Sequence, residues 1–175
     1  MGKFFDLDSP IMRTLNRLAD LMWLNILTLL CCLPIITAGA SLTAMHYVLL
    51  KMVRNEESYI SRAFFKSFKE NFKQATLLWL IMLVVIAIMG ADYWILRTAT
   101  DFPRVLVIVI GAVGVFLYMF SQYIFPLQSK FSNTIRGTIK NAALMSILGF
   151  PRTIGMTAAS FVPLLLLYLF DIRVV

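Results

Sequence analysis

Residues 62–85 read RAFFKSFKENFKQATLLWLIMLVV, a phenylalanine or lysine at nearly every step followed by a run without charge. At about 100° per residue, Ile60, Phe64, Phe68 and Phe72 fall within roughly 120° of one another. Arg62, Lys66, Lys69 and Lys73 gather within about 60° on the opposite side. The spacing predicts an amphipathic helix over about 59–74. It is expected to lie in the headgroup plane, phenyl rings among acyl chains and cations toward phosphate. Glu70 adds helical side-chain pairing with Lys66 and Lys73. From Ala75 the chain enters an apolar span reaching to about 96, with Asp92 near its end.

A second stretch, FSNTIRGTIKNAALMSIL (Phe131–Leu148), repeats the pattern. With Lys73 set on Lys140, Phe64 meets Phe131, Lys69 meets Arg136, Ala75 meets Ala142 and Leu77 meets Leu144. Phe68 and Phe72 become Ile135 and Ile139. Arg136 and Lys140 are thus expected at the same membrane interface, on an amphipathic helix over about 131–148. Two spans separate the stretches, so an internal duplication would be parallel, not inverted.

Composition sets the class. Of 175 residues 60% are hydrophobic and 14% charged; soluble domains carry about 25% charged residues. The net charge of +7 sits in residues flanking apolar runs, the placement expected beside anionic lipid headgroups, and not nucleic acid. No charge appears from Leu21 to Leu50. One helix of that length would reach about 45 Å, too long for a hydrocarbon core of about 30 Å. Pro34 and Gly39 supply a break, so spans are expected at about 21–36 and 38–53, a re-entrant hairpin being the alternative. Further spans are expected at about 75–96, 105–127 and 153–170. The fold class is all-α: a polytopic membrane protein of about five transmembrane helices with cytoplasmic interfacial helices. A leader amphipathic helix over about 9–20 begins at Asp8-Ser9-Pro10, a cap followed by a first-turn proline. Ala38–Ala40 resembles a signal-peptidase site, but the acidic leader and the immediate second span oppose cleavage.

Orientation follows from the cations. With the N-terminus inside, Lys3, Arg13, Arg17, the basic residues from Lys51 to Lys73, Lys130, Arg136, Lys140 and Arg152 lie inside. Arg97, Arg104 and Arg173 lie outside, which satisfies the positive-inside rule.

Polar groups within the spans are the candidates for function: Asn25, His46 and Gln122. Each is expected to bridge helices, with a substrate or proton path as the alternative. Small-residue pairs Gly39/Thr43, Ala40/Ala44, Ala87/Ala91 and Gly155/Ala159 are expected to let helices approach closely. Cys31 and Cys32 are adjacent, a poor geometry for a mutual disulfide, and lack the company of a metal site. No phosphate-binding loop, zinc-protease motif, nucleophile elbow or paired carboxylate occurs, so no catalysis and no cofactor are expected.

The motifs F-x-L-D-S-P (from Phe5), N-R-L-A-D-L-x-W-L-N (Asn16–Asn25), C-x-L-P-I-x-T-x-G-A-S (Cys31–Ser41) and E-x-x-Y-I-x-R-x-F-F-K-x-F-K-x-N-F-K-Q-A (Glu56–Ala75) resemble the YesL-like family of bacterial membrane proteins. The resemblance covers essentially the whole chain and is strongest through residue 80. It implies one further span in typical members and a domain of unknown function. It also implies an accessory role beside carbohydrate ABC importers, with no catalytic residues. A small stand-alone transporter or channel is the alternative.

Overall fold

A computed structural model of the chain describes residues 10–56, 59–98, 104–131 and 134–174; side chains at 10, 96–97, 104, 164–167 and 169–174 lie outside that description. Helix α1 spans Pro10–Cys32, α2 Ala38–Val53, α3 Ile60–Thr98, α4 Arg104–Lys130, α5 Ile135–Leu148 and α6 Phe150–Val174. The cap expected at Asp8-Ser9 lies outside the described residues.

Proline ends α1. Pro34 cannot donate to the helical ladder and takes an extended conformation (φ −75°, ψ 115°). The carbonyls left over find other donors: the Thr37 hydroxyl donates to Cys31 O at 2.6 Å and to Pro34 O at 2.8 Å. A single 3-10 turn, Ile35–Thr37, then leads into α2. The break expected at Pro34 is therefore present, and α2 occupies the span placed at 38–53. The first apolar segment stops at Cys32, short of 36, and is continuous with the leader helix.

Asn55 ends α2. Its φ of 53° lies in the left-handed region, which asparagine tolerates better than most residues. Glu56 N–H donates to Lys51 O (3.1 Å) and Asn55 N–H to Met52 O (3.2 Å), the paired bonds of a Schellman cap. The Asn55 side chain accepts from Arg17 Nη2 at 2.6 Å, tying this cap to the first turns of α1.

Helix α3 differs from expectation. The segments 59–74 and 75–96 form one helix of 39 residues, about 58 Å long and roughly twice the hydrocarbon thickness. No glycine or proline occurs between Ile60 and Met89, so nothing interrupts the hydrogen-bond ladder where the interfacial helix was expected to give way to the span. The second stretch does break. Thr134 caps α5, its hydroxyl accepting from Gly137 N–H at 3.3 Å. Gly149 separates α5 from α6, and Pro151 sits in the first turn of α6. The segment expected at 131–148 thus begins its helix at Ile135, and the one expected at 153–170 lies within α6.

Two compact units form, Met1–Ile81 with Gln128–Ser132, and Met82–Leu127 with Asn133–Val175. In the first, α1 and α2 pack together with the start of α3 around Leu24, Leu27, Ala44, Val48, Ala63 and Phe64. In the second, α4 and α6 are joined by polar contacts described below. Among the described residues four helical segments are long and apolar enough to cross a membrane: Ile11–Cys32, Ile35–Val53, Ile60–Ile95 and Val105–Lys130. Their outward faces are apolar, with Leu29 69%, Val84 59% and Ile108 70% exposed. Surface of that kind is stable against lipid or protein and not against water.

Candidate functional site

The phenylalanine row of α3 faces the protein. Phe64 is completely buried in the first unit's core. Phe68 stacks on it at 6.1 Å and Phe72 follows at 5.5 Å, both half-buried. Phe64 was expected among acyl chains; that placement is corrected here. The helical spacing marks the right face, but Ala63, Ser67, Ala75 and Leu78 on the same side are also buried, so the face is a packing seam. On the cationic side Arg62, Lys66, Lys69 and Lys73 are exposed, as are Arg136 and Lys140 on α5.

Positions paired by the internal alignment share their environments. Ala75 and Ala142 are both fully buried, while Leu77 and Leu144 are both exposed. Phe68 and Ile135, like Phe72 and Ile139, are half-buried. The exception is Phe64, buried where Phe131 is 43% exposed.

The small residues of Thr37–Ala44 (TAGASLTA) do pack closely. Gly39, Ala40, Thr43 and Ala44 are buried. A Cβ on Gly39 would sit 2.5 Å from both Ala75 O and Trp79 Cβ, so α2 and α3 meet backbone to backbone. The Trp79 indole N–H donates to Ile35 O at 2.7 Å, and the Ser41 hydroxyl to Thr28 O at 2.9 Å. Gly155 and Ala159 do not pack: both are exposed, and among the described residues a Cβ on Gly155 would meet nothing within 4 Å. The pair spacing marks a face that can approach a neighbour, but α6 turns its hydroxyl face inward instead.

That hydroxyl face forms a polar seam with α4. The Tyr123 and Thr153 hydroxyls are 2.7 Å apart, and those of Tyr118 and Ser160 are 2.8 Å apart. Gln122 Nε2 donates to Ser160 Oγ at 3.4 Å, so Gln122 bridges helices. Thr153 Oγ1 also donates to Gly149 O at 2.9 Å, holding the α5–α6 break. In the first unit a second polar node was not anticipated: Gln128 Nε2 donates to Asn71 Oδ1, and Asn71 Nδ2 donates to Ser67 O. Gln128 and Ser67 are 2% and 1% exposed. Ser67 adjoins Lys66 and Gln128 stands two residues before Lys130, so no local pattern marks either as core. Asn25 is exposed on α1, and His46 is half-buried on α2. Asn25 and His46 belong to the first unit and Gln122 to the second.

The seam should carry measurable stability. Ser160→Ala and Tyr118→Phe, alone and together, are expected to show a coupling of about 0.6 kcal/mol, with about 1.7 as a ceiling, as for interhelical bonds in lipid. Unfolding titrations in mixed micelles give the value; strict additivity would remove the seam's role. Among the described residues no group of three His, Cys, Asp or Glu side chains is placed to hold a metal ion. Cys31 and Cys32 are both free thiols.

Residues 21–93 match a family described as "Protein of unknown function, DUF624". The match covers α2, about half of α1 and most of α3, and so takes in the Gly39–Trp79 approach and the cationic row. No curated protein and no solved structure matches the chain.

Proposed function

We propose that this chain is a non-catalytic, multi-pass subunit of a bacterial cell membrane, with its N-terminus cytoplasmic. Its work is to dock other membrane proteins, and the YesL-like resemblance points to the permease of an oligosaccharide ABC importer as the partner class. The carrying observation is the use made of polar side chains within the apolar segments. Ser41, Tyr118 and Gln122 are engaged in hydrogen bonds between helices and Trp79 in one to the turn that joins α1 to α2, which builds a scaffold. The outward faces are left broad and apolar, suited to lipid or to partner helices. The exposed cations of α3 and α5 suit an anionic cytoplasmic leaflet, and their matched environments support a parallel duplication.

A stand-alone transporter is the competing reading. It draws on the Thr157 hydroxyl, which is buried beside the seam with no hydrogen-bond partner among the described residues and so is available to a transported polar solute. One experiment separates the two. Affinity purification of the chromosomally tagged protein in mild detergent is expected to recover importer permease subunits in near-stoichiometric amount. A solitary protein that nevertheless moves labelled oligosaccharide in proteoliposomes would overturn the subunit reading.

A further inference from the structure

Two adjoining hollows in the first unit share Asp20 and Ile60. One, of about 400 Å³, is lined also by Arg17, Met52, Asn55 and Glu56. The other, of about 470 Å³, is lined also by Trp23, Tyr59, Ser61 and Arg62. We propose that this cleft seats the headgroup of a zwitterionic aminophospholipid, a phosphate ester carrying a primary ammonium. The inference rests on the membrane reading above but not on any partner protein.

The charges select a dipolar guest. Glu56 lies 4.0 Å from Lys51 and 3.8 Å from Arg54, so its charge is already answered. Asp20 is the carboxylate presented to both hollows, and it suits an ammonium with several N–H donors. Arg62 lines one hollow with its guanidinium 5.8 Å from the Tyr59 ring centroid. Arg17 lines the other and gives one of its five donors to Asn55. Either suits a phosphate. A simple anion would meet Asp20, and a simple amine would meet the arginines; a guest carrying both signs meets a partner for each. The Trp23 indole donates to Ser61 Oγ at 2.9 Å, which fixes one aromatic wall.

The level of the cleft favours lipid. Asp20 is the last charged residue before the uncharged run that begins at Leu21, and Lys51 is the first after it. The Arg17–Asn55 bond places both ends of that run together. The cleft therefore opens where a charged layer meets an apolar one. Trp23 and Tyr59, which line the cleft and are 49% and 81% exposed, offer acyl chains a surface.

Native mass spectrometry of the detergent-purified full chain tests this, with phosphatidylethanolamine and phosphatidylglycerol of identical acyl chains supplied together. The wild type is expected to retain phosphatidylethanolamine in preference by about fivefold or more. Asp20→Asn is expected to bring the ratio to near one, and Lys69→Gln, outside the cleft, to leave it unchanged. Circular dichroism melting checks that each variant is folded; a misfolded Asp20→Asn is replaced by Asp20→Glu, for which part of the preference should survive. A wild-type ratio near one, or an unchanged ratio in folded Asp20→Asn, overturns the proposal. Soluble glycerophosphoethanolamine is expected to compete poorly; displacement at equal concentration would make the ligand a soluble ester and overturn the lipid assignment. Carbonate extraction of native membranes reports separately on membrane integration, so failure of that reading is distinguishable from failure of the cleft.

Discussion

Phe64→Ala is expected to destabilise the protein by about 3–5 kcal/mol, whereas Phe65→Ala, the next residue, should cost about 1 kcal/mol. The two phenyl rings touch edge to face at 5.6 Å, yet their environments differ completely. Phe64 is 0% exposed and closes the junction where Leu24 and Leu27 of α1, Ala44 and Val48 of α2, and Ala63 of α3 meet. Truncating it removes the stacking contact with Phe68 and leaves a cavity that three helices would have to move to fill. Phe65 is 43% exposed, so its truncation mainly trims a lipid-facing or partner-facing surface. Chemical unfolding in one detergent at fixed micelle concentration measures both. Had the phenyl row rested in the bilayer, the two variants would share a small stability effect and lose affinity for lipid surfaces. Equal effects on stability would therefore remove Phe64 from the core and restore the interfacial placement.

The contrast between neighbouring phenylalanines shows what was legible and what was not. Hydrophobic periodicity finds a helix and divides it into faces, and it did so for Ile60–Phe72. It does not say what lies opposite an apolar face, because phenyl rings suit lipid and protein interior alike. In a membrane protein that ambiguity holds for every apolar stripe. Charges are less ambiguous, and the exposed row Arg62–Lys73 was readable for that reason. Breaks followed the same logic: Pro34 acts through a missing N–H and was legible, whereas an uninterrupted α3 could be read only from the absence of breakers. The polar node of Ser67, Asn71 and Gln128 depends on the end of α4 returning beside α3. No local pattern encodes that return. Small-residue spacing was equally mute about direction, correct at Gly39–Ala44 and misplaced at Gly155–Ala159.

The same glycine-to-alanine change is accordingly expected to have opposite signs at Gly39 and Gly155. Both glycines are helical, so alanine should gain roughly 0.5–1 kcal/mol at either from reduced backbone entropy in the unfolded chain. Among the described residues nothing lies within 4 Å of the new methyl at Gly155, as also at Gly111, and that gain should appear nearly whole. At Gly39 the methyl would lie 2.5 Å from Ala75 O and 2.5 Å from Trp79 Cβ. Neither atom is the end of a flexible chain, and the Trp79 indole is further held by its bond to Ile35 O. Relief requires α2 and α3 to separate, loosening Ala40 and Ala75, both 0% exposed. Overpacking of this kind costs about 1–3 kcal/mol, which exceeds the entropic gain. Gly39→Leu should go further and abolish a cooperative unfolding transition. Paired thermal melts of Gly39→Ala, Gly111→Ala and Gly155→Ala in one detergent decide the matter. A stabilised Gly39→Ala would mean that α2 and α3 do not meet at this point, and the packing of the first unit would have to be redrawn.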